Sequence, residues 1–132
     1  MLIKTKYESF LSLKKIEIVE SSFRKKDTPL HELELGIQVK HSINKLNETD
    51  YEIFLSATVA DEDEKLYVYV KGRAIFHIEN CEKILLEKNT LAIMFPYIRS
   101  YVSTITTQPG ISPIVLPPMN IAAMIDDQNE HD

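Results

Sequence analysis

The stretch that decides the fold is residues 66–78, LYVYVKGRAIFHI. From Leu66 to Val70, and again from Ala74 to Ile78, every second residue is apolar. Successive side chains of a β-strand point to opposite faces, so a period of two predicts a strand with one well-buried face. The length of the alternation predicts a long strand that continues through Gly72.

Two strands of the same kind precede this one along the chain. Apolar residues alternate in residues 33–39 and in residues 51–59. The polar stretches at 45–50 (KLNETD) and 61–64 (DEDE) predict tight turns on either side of the second of them. Short connections favour antiparallel neighbours, so these three strands are expected to form a meander.

A fourth strand is predicted at residues 11–19, near the start of the chain. Its apolar positions change parity across Lys14 and Lys15, which indicates a β-bulge. Residues 23–30, which include Pro29, are then expected to form a loop that crosses to the next strand.

The period of the apolar residues changes after residue 78, where a short helix or turn is expected at residues 79–88. A stripe with spacings of three and four then predicts a long α-helix; it consists of Leu91, Met94, Ile98, Tyr101 and Ile105. Proline is tolerated in the first turn of a helix and costs about 3 kcal/mol in its interior. The regular helix is therefore expected to begin near Pro96 and to end before Gly110.

The last part of the chain is rich in proline. Residues 111–118, ISPIVLPP, are predicted to form an extended apolar segment on the surface of the domain. Asn120 is a suitable N-cap for a short helix at residues 121–125. We expect one α+β domain, residues 1–125, with a four-stranded antiparallel sheet, one long and one short helix, and a disordered acidic tail at residues 126–132.

The second face of the predicted sheet is also partly apolar. Phe54, Tyr67, Tyr69 and Ile75 alternate with the residues of the first face. One long helix can cover a single face of a four-stranded sheet. The second face is therefore expected to be buried against another subunit or to stay open for a partner.

Composition excludes several classes of protein. The formal net charge is -5 with scattered basic residues, which argues against a nucleic-acid surface. The single cysteine, Cys81, cannot form an internal disulfide and fits a reducing compartment, so a cytoplasmic location is expected. No apolar run suits a signal peptide or reaches the roughly 18 residues of a membrane span, and no membrane insertion is expected.

No pattern typical of an enzyme or of a cofactor site is found. The four histidines show no metal-ligand spacing with Cys81 or with each other. Only three glycines are present, without a phosphate-binding loop. We expect no catalysis, no metal and no cofactor.

Two linked motifs near the C-terminus point to a known family. Residues 94–99 are MFPYIR, and residues 116–121 are LPPMNI. This region resembles the SecB family of export chaperones, in which a helix opens with Leu-Phe-Pro-Tyr-x-Arg and the following loop leads to Leu-x-Pro-x-Asn-Phe. Weaker similarity covers most of residues 11–125. The resemblance implies a β-β-β-β-α-α protomer that assembles as a dimer of dimers, a homotetramer.

The resemblance also implies a function, the holding of unfolded polypeptides in apolar grooves without ATP. Residues 111–118 correspond to the loop that lines such a groove in the family. Adaptable aromatic side chains on the sheet suit a groove that accepts many sequences. The expected client-binding residues are Phe23, Phe54, Tyr67, Tyr69, Ile111, Ile114 and Leu116.

The resemblance leaves the partner of the chaperone open. Family members that deliver preproteins contact the motor SecA through acidic residues, and Glu20 is a candidate for such a contact. Arg24 and Tyr69 stand where further acids are expected, and Ile121 stands where phenylalanine is usual. The alternatives are a SecB-like chaperone that protects the antitoxin of a toxin-antitoxin pair, and a structural oligomer without clients.

Overall fold

The computed structural model describes residues 11–79, 83–108 and 110–131. The chain forms a sheet followed by two helices, as an α+β fold requires. The elements are β1 (Leu11–Lys25), a short 3-10 helix (Leu30–Glu32), β2 (Gly36–Lys45), β3 (Asp50–Ala60), β4 (Leu66–Ile78), α1 (Lys83–Thr107) and α2 (Ile121–His131).

The sheet has four antiparallel strands in the order β1-β4-β3-β2. The hairpins β2–β3 and β3–β4 confirm the predicted meander. β1 crosses over to pair with the outer side of β4, so β1 and β2 are the two edges of the sheet. β1 continues to Lys25, and the prediction that it ends at Val19 is therefore wrong. Phe23 lies in this strand, opposite Val68, and not in a crossing loop.

β1 contains two β-bulges. Leu13 pairs with Phe76 while Lys15 pairs with Ile75, so Lys14 is an extra residue at the predicted position. A second shift between Ile18 and Glu20 was not predicted. The two bulges reverse parity twice, which allows a long edge strand to keep its apolar residues toward the core.

Side chains close the turns between the strands. The Asn47 carboxamide oxygen accepts hydrogen bonds from the backbone N–H groups of Thr49 at 2.9 Å and Asp50 at 2.8 Å. The Asp61 carboxylate accepts one from the Leu66 N–H at 2.8 Å. This bond lowers the pKa of Asp61. Both tight turns were predicted from their polar residues, and the structure confirms them.

α1 covers one face of the sheet. Leu91, Met94 and Ile98 of the predicted stripe are fully buried, while the later members are half-buried. A Cβ atom on Gly72 would lie 2.7 Å from the Ile98 Cδ1 atom, so the missing side chain allows the helix to approach the sheet. The core forms between this helix and the alternating apolar residues of β3 and β4.

α1 begins at Lys83, much earlier than predicted. Pro96 is inside the helix, and the prediction that it occupies the first turn is wrong. Its ring nitrogen leaves the carbonyl of Ala92, one turn earlier, without a backbone donor. Both residues are exposed, so water can reach this carbonyl. Beyond Thr107 the chain leaves the helix, and Gly110 has a φ of 81°, a left-handed conformation that suits glycine.

α2 packs beside the first half of α1. The Asn120 carboxamide accepts a hydrogen bond from the Ala123 N–H at 3.0 Å, which confirms the predicted N-cap. The predicted end of this helix at Ile125 is too early, because the helix continues to His131. Lys88 and Asp126 form an ion pair at 3.0 Å, and Gln128 donates to the Val39 carbonyl at 3.2 Å. The helix thereby includes residues 126–131 of the predicted disordered tail, and the domain boundary at residue 125 stays a prediction.

Among the described residues, no helix combines the length and the apolar character that a membrane span needs.

Candidate functional site

The residues predicted to bind a client lie on two sides of the sheet. Phe54, Tyr67 and Tyr69 are half-buried on the face that α1 leaves uncovered, which we call the open face. Phe23 is opposite Val68, a core residue, and therefore packs on the helix side. Phe54 and Tyr69 line one cavity on the open face, whereas Phe23 lies on the opposite side of the sheet, so the four aromatic residues do not share one groove.

A cavity at one end of the sheet does bring two predicted residues together. We call it the end cavity; its volume is about 540 Å³. Ile111 and Ile114 line it from the proline-rich segment. Leu35, just before β2, and Leu66, the first residue of β4, line it from the sheet. Lys25 and His31 form its polar rim. Leu35, which is 37% exposed, and His31 were not predicted.

Two side chains of α1 hold the proline-rich segment in place. The Ile114 N–H donates to the Thr106 Oγ1 atom at 2.8 Å, and the Ile114 carbonyl accepts from the Ser103 hydroxyl at 3.0 Å. Thr106 is fully buried, and its hydroxyl donates in turn to the Val102 carbonyl at 2.8 Å. These bonds satisfy both backbone groups of Ile114 and fix the position of its side chain beside the end cavity.

Leu116 is a core residue in this structure, 3% exposed, and it does not line the end cavity. Its contribution to a client-binding groove stays a prediction. The neighbouring Val115 is 65% exposed and was not predicted. Successive side chains of an extended segment point in opposite directions, so Leu116 anchors the segment in the core while Val115 faces outward.

A second cavity, of about 620 Å³, lies between the first half of α1 and the start of α2. Leu85, Ala92 and Pro96 line it from α1, and Met119 and Ile121 line it from the other side. Sequence reasoning missed this cavity. Its signal is a second apolar stripe on α1 at positions 85, 92 and 96, away from the stripe that faces the sheet.

Charged groups alternate with the aromatic ones on the open face. Arg73 donates to Glu52 at 2.6 Å and to Glu17 at 3.2 Å. These bonds raise the pKa of Arg73, and the guanidinium lowers the pKa of Glu52. The His77 Nδ1 atom likewise lies within hydrogen-bond distance of a carboxylate, 2.9 Å from that of Asp50. The open face is therefore a mixed surface and not a continuous apolar one.

The positions predicted to concern SecA also lie on this face. Glu20 is exposed and stands opposite Lys71 in the register, after the second bulge. The Arg24 guanidinium lies 4.3 Å from the centroid of the Tyr67 ring and 3.9 Å from the Glu64 carboxylate. This cation–π contact covers the Tyr67 ring, one of the aromatic side chains predicted to bind a client.

Within the described residues, no group of three His, Cys, Asp or Glu side chains is arranged to hold a metal ion. Cys81 lies outside the described residues.

Comparison with known proteins identifies relatives along the whole chain. A curated protein-export protein SecB from Azoarcus sp. is 32% identical over 80% of this chain and 73% of its own length. An uncharacterised protein of Methanocaldococcus jannaschii is 28% identical over 95% of this chain and 84% of its own length.

A solved structure has the same fold. The SecB-like chaperone Rv1957 of Mycobacterium tuberculosis, in complex with a peptide from the HigA1 antitoxin, aligns with a TM-score of 0.67 at 13% identity. The alignment covers 83% of this chain and 87% of that one. The family model described as preprotein translocase subunit SecB matches residues 1–132. The chain therefore belongs to the SecB family.

Proposed function

We propose that the protein is an ATP-independent chaperone that holds extended, unfolded polypeptides, with the end cavity as a client-binding site. One observation carries the proposal: α1 holds the apolar segment 111–118 beside a cavity that Ile111 and Ile114 share with Leu35. The related fold of the M. tuberculosis SecB-like chaperone, solved with an antitoxin peptide, supports the binding of extended chains.

The size of the end cavity sets the strength of one contact. Burying one Val, Leu, Ile or Phe side chain contributes about 1.5–3 kcal/mol, and a volume of about 540 Å³ holds few of them. A single cavity therefore binds weakly and with loose specificity. High affinity requires several cavities on one client, which a homotetramer, the dimer of dimers that the family suggests, would provide.

Native mass spectrometry with a reduced, unfolded model polypeptide tests the proposal. We expect the oligomer to take up one unfolded chain. Replacing Ile111 and Ile114 by serine is expected to weaken this binding at least about tenfold, because two apolar contacts are lost. The matched control is Leu46→Ser. This side chain is 51% exposed in the β2–β3 turn, which follows the end of β2, whereas the end cavity lies at the start of β2.

An oligomer that ignores the unfolded chain would instead support a structural oligomer. Equal weakening by the control would show that the end cavity is not the site. Circular dichroism of each variant separates lost binding from lost folding. Leu116 is unsuitable for this test because its side chain is part of the core.

A second candidate is the protection of an antitoxin, and the antitoxin peptide in the M. tuberculosis structure favours it. Delivery of preproteins to SecA, with Glu20 as a contact, agrees with the description of the family and with the curated SecB relatives. Titration of the protein with SecA and with an antitoxin segment encoded beside its gene distinguishes the two. Action in the cytoplasm, without catalysis, is part of the proposal.

A further inference from the structure

The open face contains a small cavity that the proposed client binding does not use. Its volume is about 280 Å³. Lys40 of β2 and Lys71 of β4 line it on either side of Ser56, which pairs with both in the register. The Phe54 and Tyr69 rings also line it. None of its lining residues lines the end cavity.

The two lysines differ from the other cations of this face. Arg73 is paired with two carboxylates, and His77 also contacts two. Lys40 and Lys71 form no ion pair with any carboxylate of the described residues. Positive charge is therefore balanced along most of the face and unbalanced at this cavity.

Glu20 is the nearest acid in the register, opposite Lys71 on β1. The Lys71 ammonium is nevertheless turned to the other side, toward β3, where it lies 4.7 Å from the centroid of the Phe54 ring. A cation over an aromatic face at this distance gains some electrostatic energy but keeps its charge. It remains able to bind an anion that enters the cavity.

We propose that this cavity docks an acidic peptide segment, one with a carboxylate next to an aromatic or aliphatic side chain. The carboxylate would pair with Lys40 and Lys71, and the neighbouring side chain would pack on the Phe54 and Tyr69 rings. Charge complementarity favours a peptide over a nucleic acid. The formal net charge of the chain is -5, which disfavours binding of a long phosphate backbone.

Fluorescence anisotropy with the full chain and a labelled peptide of alternating Glu and Phe tests the proposal. We expect saturable binding that weakens as salt increases, since the contacts are charged and partly exposed. The double variant Lys40→Glu/Lys71→Glu is expected to bind at least about tenfold more weakly. The pair Lys40→Arg/Lys71→Arg is expected to keep the binding.

The matched control is Lys26→Glu/Lys45→Glu, which has the same net charge as the first variant but leaves the cavity intact. Its binding is expected to change no more than about twofold. Lys40→Gln/Lys71→Gln repeats the test if the charge reversals disturb folding. Uptake of a neutral unfolded client is expected to be the same in all variants, which separates this site from the end cavity.

Three results would overturn the proposal. Equal losses in the cavity and control variants would show a general charge effect. Equal binding of a peptide with Gln in place of Glu would show that carboxylates are not recognised. Binding of single-stranded DNA through the two lysines, without binding of the peptide, would assign the cavity to a different partner.

Discussion

Protonation of His77 changes the charge of the open face. Its Nδ1 atom lies 2.9 Å from Asp50, and its Nε2 atom lies 3.2 Å from Glu79. Both ring nitrogens face carboxylates, so the protonated form is favoured and the pKa of His77 is raised. Asp50 also accepts hydrogen bonds from Asn47 and Lys14. Hydrogen bonds, that from His77 first among them, lower the pKa of Asp50 to about 2.

The sign of the resulting pH dependence follows from the direction of each shift. A raised histidine pKa stabilises the fold below the unfolded pKa of about 6.5, and this contribution disappears as the pH rises through the folded pKa. The difference in unfolding free energy between wild type and His77→Gln is therefore expected to shrink as the pH rises above about 6.5 and through the raised pKa of His77. The contribution of Asp50 to the unfolding free energy has the opposite pH dependence. It is present above about pH 3.8, the ordinary pKa of the group, and disappears as the pH falls toward about 2.

Denaturant titrations at several pH values, with an NMR titration of the His77 ring, measure these changes. The control is His31→Gln, whose side chain is 83% exposed and lies 4.0 Å from the Glu32 carboxylate. Asp50→Asn is expected to lower the pKa of His77. A difference between wild type and His77→Gln that grows with pH would contradict the assignment.

At the level of elements, two hydroxyl groups attach the proline-rich segment to α1, and that of Thr106 is the acceptor of the Ile114 N–H. Thr106→Val keeps the shape of the side chain but leaves the Ile114 N–H without its acceptor. We expect a loss of about 1–3 kcal/mol in unfolding free energy, the cost of an unpaired buried donor. Hydrogen exchange is expected to be faster at the Ile114 amide and unchanged in β4.

Thr104→Val is the matched control, because the Thr104 hydroxyl is exposed and donates only to the Ser100 carbonyl of its own helix, at 3.1 Å. Faster exchange in both variants would mean that any threonine substitution in this part of α1 loosens the segment. No change in either would mean that water replaces the hydroxyl as acceptor.

The strands were predictable because burial of one face leaves a period of two in the sequence. β3 and β4 were therefore identified within a residue of their ends. β1 was predicted too short because an edge strand packed on one side tolerates polar residues such as Ser21 and Ser22, which break the pattern. Pro96 misplaced the start of α1, since the rule against interior proline ignores the support that tertiary packing gives a helix.

The candidate site was less predictable than the fold. An extended apolar segment can bury either set of alternate side chains, and the sequence does not say which one faces the core. Ile111, Ile114 and Leu116 were all predicted to line a client-binding groove; in the structure the first two line the end cavity, whereas Leu116 is buried in the core. The charge of the open-face cavity could not be predicted either. It depends on which basic side chains form ion pairs with carboxylates of neighbouring strands, and the strand register determines these pairs.

At the scale of the whole molecule, the protomer exposes apolar surface where β1 meets α1. Val19 is 45% exposed at the edge of the sheet, and Tyr97 is 49% exposed on α1. Ile16 and Ile18 lie beside Tyr97 around a cavity of about 260 Å³. Exposed apolar surface beside an unpaired strand edge is typical of an interface. We expect this surface to form contacts between protomers.

Tyr97→Asp is expected to lower the oligomeric state seen by native mass spectrometry, since it places a charge in the interface. Leu46→Asp is the control, because that side chain is 51% exposed in a turn. Unchanged assembly of a folded Tyr97→Asp variant would move the interface elsewhere. The variant also bears on the proposed function, in which a single end cavity binds a client only weakly: dissociated protomers are then expected to release a long unfolded client. They are expected to keep their weak affinity for a short peptide, because each end cavity is complete within one protomer.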